Sequence, residues 1–202
     1  IIVVSPDTSP RGEDVPDDPD YGYGQGAGFY LDATQEPWSE HFNMYSYILK
    51  DLLSVLESNF PADMKRLGIF GHSMGGHGAL TIAFKNPELF KSVSVFSPIC
   101  APTKAPWGEK AFARYLGEDT NLWQDYDACD LVRAKGWPND ILIDQGEDDE
   151  YLADHLKPEL LEQACEEKGV AIKFRKHAGY DHSYFFVSTF IGDHILWHSE
   201  RL

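Results

Sequence analysis

The chain is predicted to be an α/β protein, a mostly parallel sheet with helices on both faces, and three observations carry that expectation. From Leu67 onward, short apolar strand-like runs alternate with longer helix-like segments, and such alternation implies parallel strands joined by crossover helices. One run passes directly into Gly71-His72-Ser73-Met74-Gly75-Gly76 and then into a small-residue helix. The chain also opens on Ile1-Ile2-Val3-Val4, which reads as the middle of a buried parallel strand. A length of 202 residues with 43% hydrophobic content suits one domain with a packed core. No repeat or linker divides residues 1–202, so one domain is expected. Its opening inside a strand marks it as an expected fragment whose N-terminal strands are missing.

The elements follow in order. Residues 5–38 are rich in Pro, Gly and Asp with little periodicity and read as a long loop, a length often associated with function. Phe42, Tyr45, Leu49, Leu52, Leu53 and Leu56 recur at spacings of three and four, which predicts an amphipathic helix over 39–60. Strands are expected at 67–70, 93–96, 141–144 and 170–175. Helices are expected at 75–85, stopped by Asn86-Pro87; at 158–168, ended by Gly169; and at 183–199. Residues 98–140 form an irregular excursion with short helices.

Composition narrows the partners. A formal charge of −16 argues against a nucleic-acid backbone, and no apolar run approaches the roughly 20 residues of a membrane span. Cys100, Cys129 and Cys165 are odd in number and widely spaced, which fits reduced thiols and a cytoplasmic location better than a disulfide framework.

Strand, Gly-x-Ser-x-Gly and helix in succession form the nucleophile elbow of the α/β-hydrolase fold. The nucleophile of such an elbow sits in a strained turn where a bulky neighbour collides with strand or helix, so Gly71 and Gly75 are read as steric requirements, and Gly76 and Gly78 as places of close helix packing. Ser73 is the expected nucleophile. The Met74 backbone N–H, at a helix start, is the expected oxyanion donor. A serine hydroxyl needs a base, and the base needs an orienting acid, which in this fold follow in the order acid, then histidine. His182, in Gly179-Tyr180-Asp181-His182-Ser183 between the last strand and last helix, is the expected base. Glu147, Asp148 and Asp149 all follow a strand where the acid is expected, and spacing does not choose among them. The other histidines have plainer roles: His72 and His77 in packing, His177 at a strand end, His41 and His155 at the surface. His194 and His198 lie four apart on a helix but no zinc motif accompanies them, so no metal site is expected. Glu13, Asp14, Asp17, Asp18 and Asp20 lack the spacing of a calcium loop and read as solvated.

Six ordered blocks carry a more specific likeness. They are Pro6 to Gly12; Gly26 to Tyr30 with Asp32-Ala33-Thr34; Phe70 to Leu80; Pro106-Trp107-Gly108 with Lys110-Ala111-Phe112; Ile143 to Gly146; and Gly179 to Tyr184. Through them the chain resembles the S-formylglutathione hydrolase (esterase D) family over its whole length. The resemblance implies a serine thioesterase that releases formate and glutathione from S-formylglutathione, in formaldehyde removal, without metal or cofactor. It also selects Asp149 as the acid, since the family's Gln-Gly-x-x-Asp pattern continues here into Tyr151 and Leu152. Family members carry residues before the Ile1 strand, including a loop with a second oxyanion amide, so reduced activity of these 202 residues alone is expected. Trp107 and Lys110 are candidate substrate contacts, a tryptophan face and a cationic tip suiting a peptide with carboxylates; burial of Trp107 in the core is the alternative. The rival functions are a broad short-chain carboxylesterase, an acyltransferase, and a non-catalytic scaffold or inactive fragment. Sequence leaves a homodimer open.

Overall fold

Four strands, β1 (Leu67–His72), β2 (Phe90–Phe96), β3 (Ile141–Gly146) and β4 (Ile172–His177), lie side by side in chain order, each pair parallel, in the computed structural model, which describes residues 1–202. Parallel neighbours need long crossovers, and helices supply them. In chain order the helices are α1 (Met44–Ser46), α2 (Leu53–Asn59), α3 (Met74–Lys85), α4 (Pro106–Leu116), α5 (Thr120–Trp123), α6 (Ala128–Lys135), α7 (Pro158–Lys168) and α8 (Tyr184–Ser199). A π-helical stretch, Tyr47–Leu52, joins α1 to α2.

The register separates two faces of different chemistry. Ile69, Val93, Ile141 and Ile172 stand in one row, and Gly71, Val95, Ile143 and Phe174 in the next but one. Side chains alternate across a strand, so these rows share a face, and they pack with Leu80, Phe84, Leu131, Val132 and Leu161 of α3, α6 and α7 into the main core. Each fully buried Leu or Ile there contributes about 1.5–3 kcal/mol. The opposite face carries Ser92, Ser94, Phe96 and Asp144, and α8 covers it: Phe186 packs on Phe96, and His194 and His198 bond the two serines.

Local chemistry explains the helix ends. Asp127 accepts from Cys129 N and Asp130 N to cap α6, and Asp119 does the same for Asn121 N in α5. Pro158 opens α7 and Gly169, at φ 74°, closes it.

Three expectations change. Ile1 to Val4 are in no strand and are 39–65% exposed; β1 is the outer strand, and without a ladder partner an apolar run does not become sheet. The helix expected from Ser39 begins at Met44, where the Asp32 carboxylate accepts from Ser46 N at 2.9 Å and Ser46 Oγ at 2.6 Å. The long early loop is built into a second, aromatic core of Tyr23, Phe29, Trp38, Phe42, Phe112 and Tyr115. Within it the Tyr115 hydroxyl accepts from Gly24 N and donates to Ala27 O. Sequence periodicity does not register such packing, because the loop's contacts lie some 90 residues away in the chain.

Candidate active site

β1 delivers the chain into the elbow at its carboxyl end. Ser73 has φ 58° and ψ −119°, a region sparsely populated by non-glycine residues that costs about 1–3 kcal/mol. The turn is held by Ser73 N donating to Phe96 O at 2.9 Å, and by His77 N and Ile99 N donating to Ser73 O. A Cβ on Gly71 would stand 2.2 Å from Gly75 O, so Gly71 is a steric requirement. Gly75 itself faces open space, contrary to the paired requirement read from the motif. Gly76 lies against Pro98, and Gly78 against the Tyr30 ring rather than the sheet. Met74 is the first residue of α3, and N–H groups of a helix's first turn lack intrahelical acceptors. Its amide is therefore available beside Ser73.

The acid and base loops are laced together beyond β3 and β4. Asp148 N donates to Tyr180 O and Glu147 N to His177 O, each at 3.0 Å. Gly146 permits this approach, since a Cβ there would stand 2.3 Å from Tyr180 O. Of the three candidate acids, Glu147 and Asp148 are exposed and Asp149 is buried. Asp149 Oδ2 accepts from His182 Nδ1 at 2.6 Å, and its Oδ1 accepts from Tyr151 N at 2.9 Å. Gln145 Nε2 reaches Asp149 Oδ2 and the Ser97 hydroxyl, each at 3.2 Å. Burial alone would raise the Asp149 carboxyl, but the hydrogen bond and charge of His182, the Tyr151 amide and the Ser97 hydroxyl together bring it below the usual value. It is thus held as a carboxylate, the form that orients an imidazole. The Ser73 hydroxyl is not hydrogen-bonded to His182 here; the ring of His72, the residue before Ser73, has its centroid 4.5 Å from that of His182. Such contacts commonly close only on substrate binding.

Ser97, Gln145 and the ring neighbours of His182 carry no local signal of their place at the site. Gln145 did fall inside a family block, but a single sequence offered no sign of Ser97, which sits at φ 39° at the end of β2 and comes to the acid only through the β2–β3 pairing.

Three other histidines, His77, His194 and His198, are held in the core. His77 is fully buried, with Nε2 3.0 Å from Phe29 O. His155, expected at the surface, is half-buried against Trp107 and Tyr151, and His41 is half-buried too. His194 and His198 belong to a buried chain: Asp144 Oδ2, His194, Ser94, His198, Ser92, with successive separations of 3.2, 2.8, 2.9 and 2.6 Å. This chain contains an Asp-His-Ser run, yet all three of those residues are 0% exposed, and a nucleophile no substrate reaches is a core hydrogen-bond network. Arg175 closes it with a two-pronged bond to Asp144, whose carboxyl is held at about 2, against its burial, by His194 and Arg175. The early acidic run is used locally: Asp17, Asp18 and Asp20 accept from the backbone N–H groups of Gln25, Asp20 and Gly22.

Trp107 and Lys110 are both on α4. The Trp107 indole is half-buried, 6.2 Å from the Tyr151 ring and packed on Gly22, which puts it at the edge of the site rather than deep in the core. Lys110 is exposed, and its ammonium pairs with Asp20. No helix is long and apolar enough to cross a membrane.

Comparison with known proteins agrees with this geometry. The Esterase family model matches residues 1–197. The S-formylglutathione hydrolase of Paracoccus denitrificans is 54% identical over 202 residues, all of this chain and 72% of that protein. That of Rattus norvegicus is 50% identical over 205 residues, again covering all of this chain and 73% of the relative. The solved S-formylglutathione hydrolase of Agrobacterium tumefaciens superposes with a TM-score of 0.95 at 55% identity, over 96% of this chain and 71% of that one. With a nucleophile elbow, a buried acid on its histidine, and this identity along its whole length, the chain belongs to the S-formylglutathione hydrolase family of serine hydrolases, on the α/β-hydrolase fold.

Proposed function

We propose that this protein hydrolyses S-formylglutathione to formate and glutathione through a formyl-serine intermediate. The observation that carries the reading is the 2.6 Å bond from His182 Nδ1 to the buried Asp149 carboxylate, beside a serine strained into the elbow. With Nδ1 donating to Asp149, Nε2 is the basic nitrogen. It takes the Ser73 hydroxyl proton as Oγ bonds to the formyl carbon. The carbonyl oxygen becomes an oxyanion, which the Met74 N–H stabilises at the positive end of α3. The carbon–sulfur bond then breaks, and glutathione leaves as a thiol of ordinary pKa about 8.5, so the proton returned by His182 does less work than for an alcohol. Water, activated by the same nitrogen, releases formate and restores Ser73.

Trp107, at the rim beside Tyr151, supports a contact with the glutathione peptide. Lys110 serves that purpose only if it leaves Asp20. The reading needs no metal, since the base and oxyanion donor come from the chain. The three cysteines are odd in number, widely spaced and free, which supports a reducing, cytoplasmic setting; burial pushes the Cys129 thiol well up, which makes it an inert core group.

The experiment is turnover of S-formylglutathione, followed by release of free thiol, alongside that of p-nitrophenyl acetate. A kcat/KM for the thioester at least 100-fold above that for the acetate is expected. Equal values would make the protein a general short-chain esterase.

A further inference from the structure

The residue before the nucleophile and the second residue after the acid each bring an aromatic ring against the base. His72, the last residue of β1, has its ring centroid 4.5 Å from that of His182, with the planes at 40°. Tyr151, whose amide donates to Asp149, has its ring at 4.9 Å and 74°. We propose that His72 and Tyr151 are positioning residues that fix the plane of the His182 imidazole and so aim its Nε2 at Ser73. This rests on the reading of His182 as the base.

The need for such a clamp follows from what the Asp149 bond leaves free. A hydrogen bond at Nδ1 tethers one atom of the ring, while the torsion that turns an imidazole about its stem has broad minima. A ring that swings about the tether keeps its bond to Asp149 but loses its line to the serine, and misplacement of about 1 Å can cost 100-fold in rate. Contacts along the ring remove that freedom.

The two clamping rings cannot drift independently of the groups they serve. His72 precedes Ser73 directly and is paired with Phe96 in the sheet, so the stem of the ring and the nucleophile are anchored at the same strand end. Tyr151 is tied to the acid by its amide. The Tyr151 ring is in turn flanked by Trp107 at 6.2 Å and His155 at 6.0 Å, while the ring nearest His72 on its outer side, Tyr184 at 5.7 Å, is exposed. Each neighbour of one triad member thus reports on the position of another, although the three lie on separate loops.

A histidine beside the base serves only if it carries no competing charge. Burial, followed by the nearby charge of His182, pushes His72 down to about 4, so near neutral pH it presents an uncharged ring. The anionic group in direct contact with His182 is then Asp149 alone, with Asp181 the next nearest carboxylate along the loop.

The test measures kcat and KM for the parent protein, His72→Ala, His72→Phe, Tyr151→Ala and Tyr151→Phe, on S-formylglutathione and on p-nitrophenyl acetate, with urea midpoints to follow folding. The alanine variants are expected to lose at least about tenfold in kcat on both substrates with KM within about twofold. The phenylalanine variants, which restore a ring, should recover most of that loss. His72→Ala with the parent's kcat, or His72→Phe as slow as His72→Ala, would overturn the proposal, the second outcome because it would place the effect in the ring nitrogens. If the parent turns over the acetate but not the thioester, the substrate assignment fails, and the acetate kinetics of the same five proteins still decide the clamp.

Discussion

Asp149 and His182 stand 33 positions apart in the chain and 2.6 Å apart at Oδ2 and Nδ1, joined across the carboxyl ends of β3 and β4. Asp148, one residue earlier, points to solvent and gives only its amide to the same loop. Asp149→Asn should therefore lower kcat by on the order of 10³–10⁴, because an amide in that place favours the wrong imidazole tautomer. Asp148→Asn should leave turnover within about twofold, as expected of an exposed side chain. Steady-state kinetics of the two variants check this, and the reverse order would reassign the acid.

Ser73 combines chemistry with backbone strain, and the two separate by mutation. Ser73→Ala and Ser73→Gly should both abolish turnover by several orders of magnitude. Glycine tolerates φ 58° where alanine does not, so Ser73→Gly should be the more stable of the pair by about 1 kcal/mol. Urea denaturation of both variants measures the difference, and equal midpoints would show that the elbow is not strained.

Gly146 has no side chain to take part in the chemistry and sits where the acid and base loops cross, so it tests positioning through the backbone. Gly146→Ala places a Cβ 2.3 Å from Tyr180 O, which must push away the loop carrying His182. A loss of about 100-fold in kcat is expected, with a change in urea midpoint too small to account for it. Retained activity would mean that the loop adapts without moving the base.

Acid should destabilise the protein in two separable stages. Burial pushes His77 and His198 down to about 4 from an ordinary value of 6.5. Between those limits the unfolded chain takes up the protons and the folded one does not, so stability is lost as pH falls from about 6.5 to 4, by about 3 kcal/mol for each group. Asp144 acts lower down: its folded value is about 2, so its contribution is complete above 3.8 and disappears as pH falls towards 2. Urea midpoints from pH 7 to 4 should drop steadily, and His198→Asn should flatten that slope. An unchanged slope would remove His198 from the account.

Read alone, the sequence carried the helices α3, α7 and α8, the four-strand alternation and the place of Ser73 and His182. Each of these is written in local terms: 3.6-residue periodicity, a proline or glycine at a helix end, and glycines around a serine between strand and helix. Where the chemistry depended on contacts distant in the chain, local terms ran out. Glu147, Asp148 and Asp149 are equivalent by residue type and spacing; the family pattern points to Asp149, and the depth to which the turn after β3 buries each side chain, with the approach of the 179–182 loop over Gly146, gives the physical reason for that choice. His194 and His198 lie four apart on a helix with no zinc motif beside them, but their partners are not written locally: Ser92 and Ser94 of β2, about 100 residues earlier, occupy three of the four ring nitrogens and Asp144 of β3 the fourth. The same reason covers Ile1 to Val4, whose apolar run favours a strand but whose pairing depends on what lies beside it. Propensity belongs to a segment, whereas burial, pairing and hydrogen-bond partners belong to the tertiary arrangement, and the surroundings of Asp149, the buried network and the rings around His182 were decided there.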